Sequence, residues 1–141
     1  MPLPPTANSS RARQRTLIVG FGKLGARLAR ELTGDGARVV ALRRSDGDLP
    51  VGVTGIVADI ASPLAQALPD VDFVVITIPP SGVADGYRSA LENLARALPS
   101  PPRRTVFVSS TGVFEGAASR PRLTEHDEPA LLTARARGLR D

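Results

Sequence analysis

Short apolar runs alternate along the chain with segments in which apolar residues recur every three or four positions. Runs of this kind, rich in β-branched residues and closed by glycine or proline, are typical of strands buried on both faces. Five of them predict strands at residues 16–20, 38–42, 55–60, 72–78 and 105–110. The helical spacing predicts helices at about 23–33 and 83–98 and a short helix at 63–68. Strands that alternate with helices at this spacing pair in parallel through right-handed crossovers, so we expect an α/β fold with a doubly wound sheet of about five strands.

The two ends of the chain lack this pattern. Residues 1–14 are mostly prolines, small polar residues and arginines without an apolar face, which predicts a disordered tail. We expect residues 15–141 to form one incomplete domain, with a loop at 111–129 and about two helical turns after it. A parallel sheet that ends at its fifth strand exposes an edge and an apolar face, which native domains avoid. We therefore expect the chain to be the front part of a longer fold or to associate, for example as a homodimer through that edge.

Composition excludes several classes of protein. The chain has 141 residues, of which 42% are apolar and 23% charged, and these values are typical of one globular domain rather than collagen, a coiled coil or a disordered chain. The absence of cysteine excludes disulfides and thiolate metal sites, and a single histidine, His126, argues against a histidine-built metal site. No apolar run approaches the roughly 20 residues of a membrane helix, and no signal-peptide pattern opens the chain, so we expect a cytoplasmic protein.

The basic charge is concentrated in the first third of the chain. Residues 1–44 carry nine basic and two acidic side chains, a net charge of +7, whereas residues 45–141 carry nine and twelve, a net charge of −3. Such an imbalance suits a bound phosphate as well as it suits DNA. Because no nucleic-acid recognition motif accompanies the arginines near the start of the chain, we expect no nucleic-acid partner.

A glycine motif of the form GxGxxG follows the first predicted strand and opens the first predicted helix. In that context the first glycine allows a tight turn, the second lets a pyrophosphate approach the backbone, and the third lets the helix pack against the strand. The helix start then offers free amide hydrogens and the positive end of its dipole to the phosphates. The alternative is a turn that only reverses the chain. The residues predicted to bind a dinucleotide here are Gly20, Phe21, Gly22, Lys23, Leu24 and Gly25.

Further candidate residues follow the other strands, at the same expected edge of the sheet. Arg43 and Arg44 stand at the end of the second strand, where an acidic residue would take the 2′-hydroxyl of NAD, so NADP is favoured over NAD. The alternative is a pair of solvated arginines. Asp59 and Ile60 are predicted to bind the cofactor, Asp59 by accepting a hydrogen bond from adenine; the alternative for Asp59 is to cap the short helix. Pro79 begins a loop that we expect to wall the nicotinamide side.

The end of the fifth predicted strand carries a family resemblance. The stretch VFVSSTGVFEG resembles the VSSxxVYG segment of extended short-chain dehydrogenase/reductases, the NAD(P)-dependent epimerase/dehydratase group, and LTEHDEPA is similar to their DExxP loop. Together with the glycine motif, the resemblance covers about residues 16–134. It implies a Rossmann-type fold that binds NADP(H) and a small hydroxyl or carbonyl substrate, to which Ser110 would hydrogen-bond. The GxGxxG spacing, where most members have GxxGxxG, points to an atypical subgroup.

The same resemblance exposes one large departure. In this family a tyrosine acts as the general acid/base and a lysine one turn later lowers its pKa, both on the helix after the loop. This sequence has no tyrosine after Tyr87 and no lysine after Lys23, and Arg135 and Leu139 stand in about that region. Reductase chemistry therefore requires another proton donor, and cofactor binding without turnover stays open.

Two functions follow from these patterns. The first is the NADP-binding part of an oxidoreductase or epimerase of the short-chain dehydrogenase/reductase type. The second is a non-catalytic dinucleotide sensor or interaction module that uses the same pocket and pairs through the fifth strand. Another dehydrogenase group opens with GxGxxG and prefers NADP, but the VSSTGV segment argues against it because a serine pair has no phosphate-binding role there. The consecutive residues EHDE at 125–128 do not converge on a point, so we expect no metal site.

Overall fold

A computed structural model describes residues 14–79 and 87–109, together with residues 124 and 126. Five strands and two helices follow one another in this part of the chain: β1 (Arg15–Val19), α1 (Lys23–Gly34), β2 (Arg38–Arg43), β3 (Val53–Val57), β4 (Phe73–Ile76), α2 (Tyr87–Ala97) and β5 (Arg104–Phe107). The predicted tail, the predicted loop and last helical turns, and the first residues of the predicted second helix lie outside the described residues, apart from residues 14, 124 and 126.

The sheet is parallel throughout, with the spatial order β3-β2-β1-β4-β5. β1 lies at its centre, where Ile18 stands opposite Ala41 of β2 on one side and Val75 of β4 on the other. The order reverses between β1 and β4, and sheets of this kind open a crevice at the carboxyl ends of the strands at that point. The predicted doubly wound, Rossmann-type α/β fold is confirmed.

Alternate residues of the central strand face opposite layers of the core. Leu17 and Val19 belong to the cluster that contains Leu94 of α2, whereas Ile18 packs with Ala29 of α1. The three β1 side chains are fully buried. Because both faces of β1 are covered by helices, its sequence is a continuous apolar run rather than an alternating one.

The prediction of a short helix at 63–68 is wrong, because the structure has no helix between β3 and β4. Only five residues separate Pro63 from Pro69, and a helix that short gains too few hydrogen bonds to offset the cost of nucleation. Leu68 is nevertheless buried in the core, and its N–H donates to the carbonyl of Ala97 at the end of α2 (2.8 Å). Docking on α2 therefore decides the path of this segment.

Three strands end two or three residues earlier than predicted, and β1 ends one residue earlier, at Val19. The predicted strands 55–60 and 72–78 end at Val57 and Ile76, and the predicted strand 105–110 ends at Phe107. After each of the three strands one more N–H bonds to the neighbouring strand, as Thr77 does to the Val19 carbonyl at 2.8 Å. After the strands that end at Val57 and Ile76, the backbone turns away from the ladder and its next residues line a pocket.

β5 is an edge strand, and all four of its residues are exposed. Val106 and Phe107 are among the exposed large apolar residues of the described chain. The Phe107 ring meets the ring of Tyr87 edge to face, with centroids 4.8 Å apart. Pairing of this edge with a second copy of the chain stays a prediction.

A polar cluster lies at the end of the sheet where the strands begin. The Asp70 carboxylate accepts hydrogen bonds from the Ser100 hydroxyl (2.5 Å) and from the Arg15 guanidinium (2.9 Å). Both bonds hold the pKa of Asp70 below its ordinary value, and the bond from Ser100 has the larger effect. The Asp72 carboxylate accepts the backbone N–H of Arg15 (2.9 Å). The cluster thus ties the start of β1 to the segments that lead into β4 and β5.

The Asp70 cluster predicts a pH dependence. A carboxyl whose pKa is lower in the folded chain than in the unfolded chain stabilises the fold above the unfolded pKa, and this contribution is lost as pH falls through the folded value. We expect Ser100→Ala to raise the pKa of Asp70 toward its ordinary value near 3.8, which an NMR titration of the Asp70 carboxyl carbon measures. Ser89→Ala, on the exposed face of α2, is the control. An unchanged Asp70 pKa in Ser100→Ala would refute the role of this bond.

Candidate functional site

The carboxyl ends of β1 to β4 surround a pocket of about 210 Å³. It lies at the reversal of strand order between β1 and β4, the position at which sheets of this topology bind ligands. Residues from four successive strand ends line it: Gly20, Phe21, Gly22, Leu42, Arg43, Arg44, Ala58, Asp59, Ile60, Thr77, Ile78 and Pro79. Eight of these twelve are among the residues predicted from sequence to bind the cofactor.

The turn after β1 is shaped by Gly20. Its φ is +89°, a conformation that side chains with a Cβ rarely adopt, and a Cβ here would stand 3.0 Å from Ile78 and 3.1 Å from the Thr77 hydroxyl. The Gly20 N–H donates to the Leu42 carbonyl (2.9 Å), and the Gly20 carbonyl accepts the Thr77 hydroxyl (2.5 Å). The turn is therefore fixed by bonds to both neighbouring strand ends.

The other two glycines of the motif have opposite environments. A Cβ on Gly25 would stand 2.6 Å from the Gly20 carbonyl oxygen, closer than real Cβ atoms approach, so α1 packs against the turn only because no side chain is there. A Cβ on Gly22 would meet nothing within 4 Å. Gly22 is exposed and lines the pocket. Gly25 thus serves helix packing, and Gly22 leaves space on the pocket side.

The start of α1 is open toward the pocket. Gly22 is its N-cap, and in the described structure no side chain caps the helix and no acidic residue stands in its first turn. The first intrahelical bond runs from the Ala26 N–H to the Gly22 carbonyl (2.9 Å), and the amides before it have no partner within the helix. Lys23 and Leu24 are exposed, Leu24 by 53%, and neither lines the pocket. An anion can therefore approach these amides without displacing a side-chain cap.

Arg43 and Arg44 both line the pocket, but their surroundings differ. The Arg43 side chain is only 13% exposed, and its guanidinium donates to the carbonyls of Gly47 and Asp48 and to the Asp46 carboxylate (3.3 Å). Arg44 is exposed, and its side chain makes no hydrogen bond or ion pair with any described residue. The two arginines that are predicted to bind a phosphate thus line the same pocket, but Arg43 is largely buried and hydrogen-bonded, whereas Arg44 is exposed.

Asp59 and Ile60 form the wall that follows β3. The Asp59 carboxylate accepts the Ala61 N–H (2.9 Å), which makes a turn rather than the start of a helix. The predicted alternative role of Asp59, as the cap of a short helix, is therefore wrong because no helix follows. The Ile60 carbonyl accepts the side-chain amide of Asn93, a buried polar residue of α2 (3.0 Å). This bond holds the wall in place from the far side.

The wall after β4 is formed by Ile78 and Pro79. Tyr87, at the start of α2, is 4% exposed and its hydroxyl donates to the Ile78 carbonyl (2.9 Å). The only tyrosine of the chain therefore supports this wall from behind. Ser110, predicted to meet the substrate, lies outside the described residues; the preceding Ser109 is exposed just after β5.

Four lining residues were not singled out from the sequence: Leu42, Ala58, Thr77 and Ile78. Three of them are apolar residues at strand ends and look like ordinary core positions. Thr77 carried a usable signal, because a hydroxyl inside the apolar run DFVVITI requires a hydrogen-bond partner when it is removed from water. Its partner is the Gly20 carbonyl.

Two further observations concern other classes of site. In the described ranges, His, Asp and Glu residues form no group of three or more that could hold a metal ion. Neither described helix is long and apolar enough to cross a membrane. Of the acidic cluster near the end of the chain only His126 is described, and it is exposed.

No protein-family profile and no curated protein matches the chain, but solved structures do. A candidate NAD-dependent epimerase/dehydratase from Methylobacillus flagellatus is 31% identical, with a TM-score of 0.75 over 90% of this chain and 48% of that one. A candidate epimerase from Burkholderia cenocepacia J2315 is 22% identical, with a TM-score of 0.70 over 92% and 48%. MoeE5, solved with UDP-glucose and NAD, is 25% identical, with a TM-score of 0.65 over 89% and 46%.

These structures confirm the resemblance predicted from the glycine motif and the VSSTGV segment. The described fold is that of NAD-dependent epimerase/dehydratase-like proteins. The chain spans about half the length of each of the three.

Proposed function

We propose that this chain, which has the fold of NAD-dependent epimerase/dehydratase-like proteins, binds NADP(H) in the pocket at the ends of β1 to β4. In this proposal it is the cofactor-binding part of an oxidoreductase or epimerase that acts on a small hydroxyl or carbonyl substrate. The observation that carries the proposal is the meeting of three features in one pocket: the Gly20 turn, the uncapped start of α1 and two arginines at the end of β2.

The first two features suit a pyrophosphate. Gly22 leaves open space on the pocket side of the helix start, so the backbone amides there can reach phosphate oxygens at hydrogen-bond distance. The Thr77 hydroxyl donates to the Gly20 carbonyl, which fixes the turn beside that space. Phe21 and Ile78 add apolar surface beside it, which excludes water from the bound phosphates.

The remaining walls suit the two ends of a dinucleotide. Asp59 and Ile60 stand beside β2 and β3, on the side where Arg43 and Arg44 lie, and we assign this side to the adenosine with its 2′-phosphate. Pro79 stands at the end of β4, and we assign this side to the nicotinamide. The cofactor supplies hydride transfer when it is bound, and Ser110 is proposed to hydrogen-bond the substrate oxygen.

The test of the 2′-phosphate assignment is the double substitution Arg43→Glu with Arg44→Glu. It replaces two positive charges at the pocket by two negative ones, which repel a 2′-phosphate and leave a 2′-hydroxyl tolerated. We expect NADPH affinity to fall about a hundredfold and at least about tenfold more than NADH affinity, as measured by calorimetric titration. Equal affinities for the two cofactors, before and after substitution, would end the assignment.

A second function, a non-catalytic dinucleotide-binding module, stays open. No tyrosine follows Tyr87 and no lysine follows Lys23 in these 141 residues, so the proton-transfer pair of the family is not among them. The two functions separate in an assay of NADPH oxidation with short-chain carbonyl compounds. Turnover favours the enzyme, and binding without turnover, together with dimerisation that depends on concentration, favours the module.

A further inference from the structure

The two neighbouring arginines at the end of β2 are presented to the pocket in different ways. Arg44 lies in the bend that follows β2, outside the strand. Arg43 is the last residue of β2, and its side chain is largely buried, whereas Arg44 is exposed.

The Arg43 guanidinium is hydrogen-bonded to the loop that follows it, at residues 46–48. We call this set of hydrogen bonds the clasp. One terminal nitrogen donates to the Asp48 carbonyl (3.2 Å), and the other donates to the Gly47 carbonyl and to the Asp46 carboxylate (3.3 Å). The Asp46 carboxylate in turn accepts the Gly47 N–H (2.8 Å). Three donors of a five-donor group are therefore committed to residues 46–48 before any ligand arrives.

One of the two donors that Arg43 keeps, its Nε, is buried and has no hydrogen-bond partner in the described structure. The Asp46 carboxylate, 94% exposed, also offsets the Arg43 charge at close range.

Arg44 has the properties that Arg43 lacks. It lines the same pocket, it is exposed, and within the described residues no carboxylate or carbonyl engages its side chain. Its five donors and its charge are therefore available to an incoming anion.

We infer that Arg44 is the residue that distinguishes NADP from NAD, and that Arg43 is a positioning residue that holds in place the loop at residues 46–48, just after Arg44. The inference rests on the proposed NADP(H) binding and divides a role that the sequence pattern assigns to both arginines. Arg44 meets the 2′-phosphate directly. Arg43 acts through the loop, whose position affects the binding of both cofactors alike.

Single substitutions separate the two roles. In calorimetric titrations with NADPH and NADH, Arg44→Gln lowers NADPH affinity at least tenfold and NADH affinity less than twofold, because only one cofactor loses a charge-assisted contact. Arg43→Gln lowers both affinities by a similar factor of about three to ten and leaves their ratio unchanged. Arg38→Gln removes an exposed positive charge at the other end of β2 and controls for net charge.

Conservative variants give the second readout. Arg44→Lys keeps the charge without the planar fork, so it restores part of the NADPH preference. Arg43→Lys can donate to the Gly47 and Asp48 carbonyls, so it restores part of the affinity for both cofactors. A role limited to stability would lower the melting temperature of Arg43→Gln and leave the affinities of the folded protein unchanged, so titrations are made well below that temperature.

The possible failures are distinguishable. An unsubstituted chain that binds NADPH no more tightly than NADH overturns the proposed cofactor preference itself. An unsubstituted chain that prefers NADPH, and loses this preference in Arg43→Gln but keeps it in Arg44→Gln, overturns only the division of roles. Equal loss of preference in both variants also overturns the division, because both arginines would then contact the phosphate.

Discussion

Gly22→Val folds like the unsubstituted chain and binds neither NADPH nor NADH. A Cβ at residue 22 meets nothing within 4 Å, so the fold has room for the new side chain. Gly22 lines the pocket at the α1 start, where the pyrophosphate is proposed to bind. The valine methyl groups fill the space that phosphate oxygens need in order to reach the backbone amides. Both cofactors carry the pyrophosphate, and both therefore lose affinity.

Calorimetric titration measures the loss, and circular dichroism with a thermal melt shows that the variant is folded. The matched control is Gly34→Val, the same substitution at the last residue of α1, where a Cβ also meets nothing within 4 Å. Gly34 lies at the other end of the helix from the pocket, so this variant keeps its affinity for the cofactors. Retained binding of either cofactor by Gly22→Val would contradict the location of the pyrophosphate.

Gly25→Ala strongly destabilises the chain, although it adds a single methyl group. The new Cβ stands 2.6 Å from the Gly20 carbonyl oxygen and 3.2 Å from Ile18. Neither neighbour moves freely. Ile18 is fully buried, and the Gly20 carbonyl belongs to the backbone and accepts a hydrogen bond from the Thr77 hydroxyl. Overpacking of this kind costs about 1–3 kcal/mol, and separation of α1 from the turn costs more.

The free energy of unfolding in urea measures this effect, and the same helix supplies the control. Gly34→Ala adds the same methyl group in open space, so it leaves stability unchanged or raises it by up to about 1 kcal/mol through helix propensity. The two glycine-to-alanine substitutions therefore have opposite signs. A Gly25→Ala variant as stable as Gly34→Ala would show that α1 does not pack on the turn as described.

The sequence predicted the parts of the fold that depend on local periodicity. The apolar run after Thr16 and the GxGxxG motif are contiguous in the chain, so the strand, the turn and the helix start follow from neighbouring residues. The short helix at 63–68 was predicted wrongly because two prolines and a docking contact with α2 outweigh a weak local pattern. Where only a few residues favour a local structure, a contact with a residue far away in the sequence decides which structure forms.

In the site, the residues that line the pocket were predictable, but the side-chain contacts that hold them were not. Gly20, Arg44 and Asp59 reach one pocket as expected, because parallel strands end at the same edge of the sheet. The clasp on Arg43 was not predictable, since it depends on the path of the loop at residues 46–48, which no periodicity describes. The support of the Ile60 wall by Asn93 was hidden for a similar reason, because these residues are 33 positions apart.

The central claim is that this pocket binds a dinucleotide and prefers the form with a 2′-phosphate. A thermal melt of the unsubstituted chain, alone and with saturating NADPH or NADH, tests it most directly, because a ligand that binds only the folded state stabilises it by about 2.7 kcal/mol at a hundredfold excess over Kd. We expect one cooperative transition, raised by both cofactors and raised more by NADPH at equal concentration. A transition that neither cofactor moves would contradict the claim.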